Sequence, residues 1–181
     1  MEAINILFFI VGTFFGFNQS SLIAEKTTVT INPNEKTIVI LQENLVTFIQ
    51  NESDSLKVQN ELSKITQSNC PWSSELENYP KKEKEFFKSE DKNALNLKLT
   101  LTYTSDKDLK VFGIDKNNDG PFSMTNFPKS HIASTDGILK EPYWNFDANK
   151  PFTFTEEPLT DLPEDYQKLQ RSILPFWKPT K

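Results

Sequence analysis

The sequence predicts an α+β fold with a mainly antiparallel sheet, and three observations support this fold class. Apolar and polar residues alternate over residues 94–106, as they do in a strand with one buried face. Further short alternating segments follow and are separated by turns, so the strand–helix–strand pattern of a parallel sheet is absent. Helical patterns at residues 53–65 and 161–174 predict one middle helix and one carboxy-terminal helix. A small β-sandwich is the alternative.

The amino-terminal segment differs in composition from the rest of the chain. Residues 4–17 form an apolar run interrupted by one Asn, and Glu2 is the sole charged residue before Glu25. This run is shorter than the roughly 20 residues needed to span a bilayer, and it suits the apolar region of a secretory signal peptide. We therefore predict a signal peptide over residues 1–24 and a single globular domain over residues 25–181.

The end of the apolar run, FGFNQ, resembles the export signals of Bacteroidota, which often finish with an aromatic residue and a Gln. Small exported proteins of these bacteria include plug-like and accessory subunits of outer-membrane translocons. The resemblance implies a periplasmic or secreted location, with a larger envelope protein or complex as the partner. It covers the signal segment alone, so it assigns no role to any residue.

Two elements and a linker are predicted after the signal segment. Residues 27–41 alternate Thr with Val and Ile around the turn sequence NPNE, which predicts an amino-terminal β-hairpin. Residues 53–65 carry Leu and Ile at helical spacing behind a Ser or Asp that can cap the helix. Residues 66–93 lose both periodicities and mix charges of both signs, which predicts a solvated, charged linker.

Residues 143–157 predict an aromatic β-hairpin. Trp144 and Phe146 on the first arm would pair with Phe152 and Phe154 on the second, across the turn sequence DANK. Shorter strands are predicted before this hairpin at residues 109–114, 122–127 and 131–134.

The motif D-x-N-x-D-G matches the start of an EF-hand calcium loop. Asp115, Asn117 and Asp119 would occupy its first three ligand positions, but the twelfth position, which requires a bidentate Glu, is Asn126. The motif also lies between predicted strands, whereas an EF-hand loop joins two helices. We interpret it as a hairpin turn, because Asn, Asp and Gly tolerate positive φ, and we predict no metal ion and no cofactor.

The chain ends with a predicted helix and an aromatic tail. Asp161 and Glu164 form a capping box at the start of residues 161–174, and a proline follows the helix. Phe176 and Trp177 lie beyond the helix, where they either fold back to seal the sheet edge or insert into a partner.

Composition and charge exclude several functional classes. The chain carries 25 acidic and 20 basic side chains, so neither nucleic acid nor an anionic membrane surface is a favourable ligand, and membrane contact is expected only through a partner. Cys70 is the sole cysteine, which rules out an intramolecular disulfide and a cysteine-based zinc site. His131 is the sole histidine, and no serine has the G-x-S-x-G surroundings of a hydrolase nucleophile.

The remaining side chains favour binding over catalysis. The acidic residues in or beside predicted turns are interpreted as solvated: Asp136, Glu141, Asp147, Glu156 and Glu157. We predict a non-enzymatic exported envelope protein that acts by protein–protein binding, as an accessory or plugging subunit of an outer-membrane complex. The alternative is a small ligand- or glycan-binding periplasmic domain. The predicted partner-binding residues are Trp144, Phe146, Phe176 and Trp177.

Overall fold

The structure is a computed structural model that describes residues 6–179, and over that range ten strands form two antiparallel sheets. The strands are β1 Ile23–Asn32, β2 Thr37–Phe48, β3 Lys81–Lys88, β4 Leu95–Thr102, β5 Ile114–Lys116, β6 Phe122–Thr125, β7 Gly137–Lys140, β8 Tyr143–Phe146, β9 Phe152–Glu156 and β10 Gln170–Ser172. The larger sheet has the order β3-β4-β2-β1-β9, with β10 paired to β2, and the smaller sheet has the order β5-β6-β8-β7. The predicted antiparallel architecture is confirmed.

The described helices are few and short. They are α1 Glu52–Ile65, α2 Glu164–Gln167 and the 3₁₀ helices Val11–Phe15, Ser74–Leu76, Asp106–Phe112, Pro128–Ser130 and Leu174–Phe176. The middle helix is confirmed as α1, and its N-cap is Asn51, whose side chain accepts a hydrogen bond from the Asp54 backbone while the Asp54 carboxylate bonds back. No helix within residues 6–179 has the length and apolar character that crossing a membrane requires.

The predicted amino-terminal hairpin is confirmed as β1 and β2, and its register builds the buried face of the larger sheet. Val29 pairs with Ile40 and Ile31 with Ile38, and all four side chains are fully buried. β4 continues the same face with its four alternating leucines, so the strongest alternation in the sequence does form a strand.

The two sheets pack against each other through aromatic rings. The rings of Phe146 on β8 and Phe152 on β9 stack with their centroids 4.3 Å apart, and Phe122 on β6 lies 5.8 Å from Phe152. The predicted hairpin over residues 143–157 is therefore wrong in its pairing, because β8 belongs to the smaller sheet and β9 to the larger. Phe146 does meet Phe152 and Phe154, but it does so between the sheets.

The segment predicted as a signal peptide packs into the core where the structure describes it. An isolated bridge joins Ile10 to Ile23, and the buried apolar side chains of the segment are Ile6, Phe8, Val11, Phe14, Phe15, Leu22 and Ala24. Cleavage after Ala24 stays a prediction, and it would remove these side chains from the core. Residues 1–5 lie outside the described residues.

The predicted charged linker is wrong over part of its length. β3 pairs with β4 along all eight of its residues. Lys82 and Lys84 point toward the buried face and extend their ammonium groups to backbone carbonyls, at 2.6 Å from Tyr79 O and 2.7 Å from Gln67 O respectively. Charges on both faces of an edge strand hide the alternation that would reveal it, and they also oppose edge-to-edge aggregation.

The predicted carboxy-terminal helix over residues 161–174 is wrong except for one turn, and Asp161 does not cap that turn, since its N-cap is Pro163. α2 spans four residues, and β10 then pairs Gln170–Ser172 with the end of β2. The end of β2 extends past the residues that pair with β4, so its backbone groups are free to recruit β10. The strand predicted at residues 109–114 is also wrong, since most of it lies in the 3₁₀ helix Asp106–Phe112.

Candidate functional site

An apolar cavity of about 310 Å³ lies beside the amino-terminal segment. Residues 6–9 form one wall, Phe112 and Met124 line it from the 3₁₀ helix and β6, and Glu156 lines it from the end of β9. Leu7 and Phe127 line the cavity and are also exposed to solvent, so they mark its mouth. Most of the lining is aliphatic or aromatic, as in cavities that bind small molecules.

Backbone hydrogen bonds hold the amino-terminal wall in place. The Ile6 amide donates to Val111 O at 3.2 Å, and the Ala24 amide donates to Phe9 O at 2.9 Å. Between these two points the ring of Phe8 stacks on Phe112, with the centroids 4.7 Å apart. The wall is therefore a fixed part of the fold, attached both to the larger sheet and to the 3₁₀ helix.

Glu156 belongs to a row of buried polar side chains that crosses the larger sheet. β9 places Phe152, Phe154 and Glu156 on its inner face, and Glu156 pairs directly with Thr27 on β1. Thr27 pairs in turn with Gln42 on β2, so the three polar side chains share one face. Gln42 Nε2 donates to Phe8 O at 2.6 Å, which links this row to the amino-terminal wall.

Each member of this row has an oxygen that lacks a hydrogen-bond partner among residues 6–179: Glu156 Oε2, Thr27 Oγ1 and Gln42 Oε1. Glu156 is 6% exposed, and burial raises the pKa of its carboxyl to about 7 from an ordinary value of 4.5. Buried polar groups are nearly always paired, so an unpaired oxygen on a carboxyl that lines a cavity calls for an explanation, and a bound ligand or water is one that the cavity allows.

A larger cavity, of about 530 Å³, lies between α1 and the carboxy-terminal tail. Gln59, Asn60 and Ser63 of α1 line it together with Phe176. The described residues that line it include no carboxylate and no histidine, and Gln59, Asn60 and Ser63 are exposed on the surface of the helix. It is therefore large enough for a ligand, but it lacks the precisely placed, buried polar groups that are typical of a binding site.

The predicted contact residues of the aromatic hairpin lie inside the protein. Phe146 is fully buried between the sheets, and Trp144 is 8% exposed and donates from Nε1 to Asn126 Oδ1 at 3.3 Å. In this conformation neither side chain presents an appreciable surface to a partner. Their role in partner binding stays a prediction.

The aromatic tail folds back onto the protein. Phe176 ends the 3₁₀ helix Leu174–Phe176, and both Phe176 and Trp177 are half-buried against the hydrophobic core. Of the two alternatives for the tail, the structure has the one in which it packs on its own chain. A partner would meet only the exposed edges of these rings.

The calcium-like motif forms the turn between β5 and β6. The Asn117 amide donates to Pro121 O at 2.9 Å, and Gly120 adopts a φ of +115°, so the hairpin-turn interpretation is confirmed. Asp115 lies 3.7 Å from Lys110 Nζ in an ion pair. Within residues 6–179 no three His, Cys, Asp or Glu side chains come together as a metal site requires.

The structure does not bring a nucleophile and a base together at Cys70, His131 or Ser130. Cys70 lies beside Lys84 on β3, and burial raises the pKa of its thiol. His131 lies near β9, at the opposite edge of a sheet whose strands are about 4.8 Å apart, which separates the two by roughly 19 Å. His131 Nε2 lies 2.7 Å from Asp161 Oδ2, and no hydrogen bond joins it to Ser130 among the described residues.

The cavity can bind, and the groups that line it are suited to hold one polar end of a ligand. Its apolar walls supply burial, and the Glu156 carboxyl supplies a single directional contact. No protein-family model, curated protein or solved structure matches the chain.

Glu156 is the site residue that sequence reasoning misjudged. Asp136, Glu141 and Asp147 are exposed, as expected of acids beside turns, but Glu156 is buried. The alternation of Phe152, Phe154 and Glu156 already places the carboxylate on the same face as the two rings. That period-two signal could have identified it before the structure was known.

Proposed function

We propose that this protein is a non-enzymatic binding protein that holds a small, mainly apolar molecule in the cavity beside residues 6–9. One observation carries the proposal: Glu156, whose carboxyl has an oxygen without a hydrogen-bond partner among residues 6–179, lines a mainly apolar cavity. A fixed polar group in an apolar cavity orients a ligand, while the surrounding rings supply most of the affinity. Location in the cell envelope stays a prediction from the signal-like segment, and the proposed function requires that segment to remain on the chain, since residues 6–9 form a wall of the cavity.

The volume limits the size of the ligand. Ligand cavities in proteins commonly range from roughly 300 to 1,000 Å³. At about 310 Å³ this cavity suits a single ring or a short alkyl chain, and it is too small for an oligosaccharide. The glycan-binding form of the earlier expectation is therefore less well supported than the small-ligand form.

Thermal unfolding in the presence of small probes tests the proposal. A ligand that binds only the folded state stabilises it by about 2.7 kcal/mol at 100 times its Kd, so toluene or 1-hexanol should raise the Tm of the full chain. Met124→Trp places an indole in the cavity and should abolish the rise. Leu56→Trp is the matched control, because Leu56 is exposed on α1 and does not line the cavity.

Two results would contradict ligand binding in this cavity. One is a Tm that none of the probes changes. The other is an equal rise in Tm for wild type and Met124→Trp, which would place the binding elsewhere on the protein.

A second candidate function is docking to a larger protein, and the hairpin of β7 and β8 favours it. Ile138 is 64% exposed and Tyr143 49% exposed, and β7 is an edge strand of the smaller sheet. Exposed apolar side chains on an edge strand suit pairing with a strand of another chain. An accessory subunit of an outer-membrane complex would use such a surface.

Affinity capture from the native envelope distinguishes this candidate. Wild type should retain a stoichiometric partner, and Ile138→Ser combined with Tyr143→Ser should lose it. Leu56→Ser, at an equally exposed site on α1, should retain it. Capture that the double variant leaves unchanged would rule out this hairpin as the docking surface.

A further inference from the structure

We propose that the ligand of this cavity carries a protonated amine on a small apolar body, and that the amine pairs with the carboxylate of Glu156. The inference deepens the proposed function and rests on it. It names the chemical class of the ligand, because the acidic Glu156 and the basic Lys129 line different parts of the cavity.

The environment of Glu156 lacks the positive charge that a buried carboxylate needs. The carboxyl is 6% exposed, and its Oε2 has no hydrogen-bond partner among residues 6–179. Burial is the cause of its raised pKa. A buried carboxylate must be neutralised by a proton or stabilised by a cation, so a ligand ammonium supplies what the protein does not.

The nearest protein charges do not fill this role. Lys26 lies 3.6 Å from the exposed Glu157, the neighbour of Glu156 on the other face of the strand. Lys129 lines the cavity but is exposed, near the mouth that Leu7 and Phe127 mark. The inner part of the cavity is therefore acidic, and the basic group lies near its opening.

Other ligand headgroups fit this arrangement less well. A carboxylate or phosphate would place a like charge beside Glu156 and raise the cost of burial further. An alcohol can donate to the carboxylate, but it brings no positive charge, so the buried negative charge stays uncompensated. An ammonium both donates to the carboxylate and compensates its buried charge.

The walls of the cavity suit the rest of such a ligand. The rings of Phe8, Phe112 and Phe127 surround the space, and aromatic faces attract cations as well as apolar groups. An alkyl or aryl amine presents both features, with its apolar end toward the mouth. Thr27 and Gln42 lie next to Glu156 in the buried row, although they do not line the cavity.

Calorimetric titration with three matched probes tests the inference. Hexylamine, 1-hexanol and hexanoate have the same chain and differ in headgroup, and at pH 8 the amine is protonated while Glu156 is mostly ionised. Wild type should bind hexylamine at least about tenfold more tightly than 1-hexanol, because only the amine brings a positive charge that compensates the buried carboxylate. This first comparison, the affinity for hexylamine relative to that for 1-hexanol, is made on the wild-type protein alone and so does not depend on a variant that folds.

Two variants then assign the effect to one carboxylate. Glu156→Gln keeps the shape and removes the charge, so it should lose about tenfold in hexylamine affinity and little in 1-hexanol affinity. Glu157→Gln is the matched control, since it removes the adjacent but exposed carboxylate, and it should bind both probes as wild type does.

The outcomes separate this inference from the function on which it rests. If 1-hexanol or hexanoate binds wild type as tightly as hexylamine does, the amine is the wrong headgroup and the cavity still binds ligands. If hexylamine is preferred equally by wild type and Glu156→Gln, the selectivity arises elsewhere and the pairing is wrong. If none of the three probes binds, the proposed function fails and this inference fails with it.

Discussion

Glu156 makes the stability of the fold depend on pH. Its pKa is raised from 4.5 to about 7, so the folded state binds the proton more tightly than the unfolded state does. The resulting stability is fully present below pH 4.5 and is lost as the pH rises through about 7. A shift of this size corresponds to about 3 kcal/mol between the two limits.

Substitution of this one carboxyl isolates its contribution. Glu156→Gln should flatten the fall in the free energy of unfolding between pH 4.5 and 7.5, measured by urea denaturation at intervals across that range. Glu157→Gln should retain the slope of the wild type, because Glu157 is half-exposed and pairs with Lys26. Equal slopes in all three proteins would show that Glu156 is accessible to water in the folded state.

The turn that carries Asp115, Asn117 and Asp119 should not respond to calcium. Asn126 stands where a bidentate Glu is required, and its side chain is already engaged: Oδ1 accepts from Trp144 and Nδ2 donates to Glu141 at 3.0 Å. We expect 1 mM calcium to leave the Tm unchanged, with 1 mM magnesium as the control. A rise in Tm with calcium alone would reinstate the EF-hand interpretation.

Some single residues could be assigned from the sequence and others could not. The calcium-like turn was correct, because turn formation depends on local φ preferences that the residue types reveal. Glu156 was misjudged, because its burial depends on Thr27 and on the wall at Phe8, which lie more than a hundred residues away in the chain. The unpaired state of its oxygen is a property of that distant packing.

Among the elements, the 3₁₀ helix Asp106–Phe112 is tied to both sheets by its first residue. The Asp106 carboxylate contacts Lys36, in the turn between β1 and β2, and Lys116 of β5, at 2.8 Å. Burial alone would raise the pKa of this carboxyl, but the two lysines hold it below its ordinary value of 3.8. Its contribution is therefore present above that value and is lost as the pH falls further.

Removal of this carboxylate should loosen the link between the sheets. We expect Asp106→Asn to lower the free energy of unfolding by about 1–2 kcal/mol at pH 7, since two charged hydrogen bonds become weaker neutral ones. Asp119→Asn, at an exposed turn position, should change it by less than about 0.5 kcal/mol. If Asp106→Asn lowers the free energy of unfolding by no more than the control does, the two ion pairs do not contribute measurably to stability.

The elements that local patterns specify were predicted correctly. The β1–β2 hairpin, α1 and β4 each have a clear periodicity and their own turn or cap residues. β3 and β10 depend instead on partners: β3 has charges on both faces, and β10 forms because the end of β2 has unpaired backbone groups. Pairing with a distant strand overrides the helical pattern of residues 161–174.

At the scale of the whole molecule, residues 6–24 decide whether the fold is complete. They contribute seven buried apolar side chains and one wall of the cavity. We expect a chain of residues 25–181 to lack the cooperative thermal transition of the full chain, because loss of so much core exceeds the usual margin of stability, about 5–15 kcal/mol. Circular dichroism melting of the two chains checks this.

A pair of substitutions provides a milder test of the same segment. Phe8→Ala removes a ring that packs on Phe112 and Phe154, and it should cost about 3–5 kcal/mol. Leu7→Ala, at the exposed neighbouring position, should cost less than about 1 kcal/mol. A cooperative melt for residues 25–181, or equal costs for the two variants, would instead agree with the removal of residues 1–24 as a signal peptide.

The contact of Phe8 with Phe112 and Phe154 also sets an order of events during synthesis. About 150 residues separate Phe8 from Phe154, and at 5–20 residues per second a ribosome needs roughly 7–30 s to make them. Throughout that interval the apolar segment has emerged and the strand that covers it does not exist. A chaperone or targeting factor that recognises apolar nascent chains therefore has seconds in which to capture the segment before the protein's own core can. If a targeting factor binds the segment in that time, the segment directs the chain to export. If none binds, the segment is left to form a wall of the cavity.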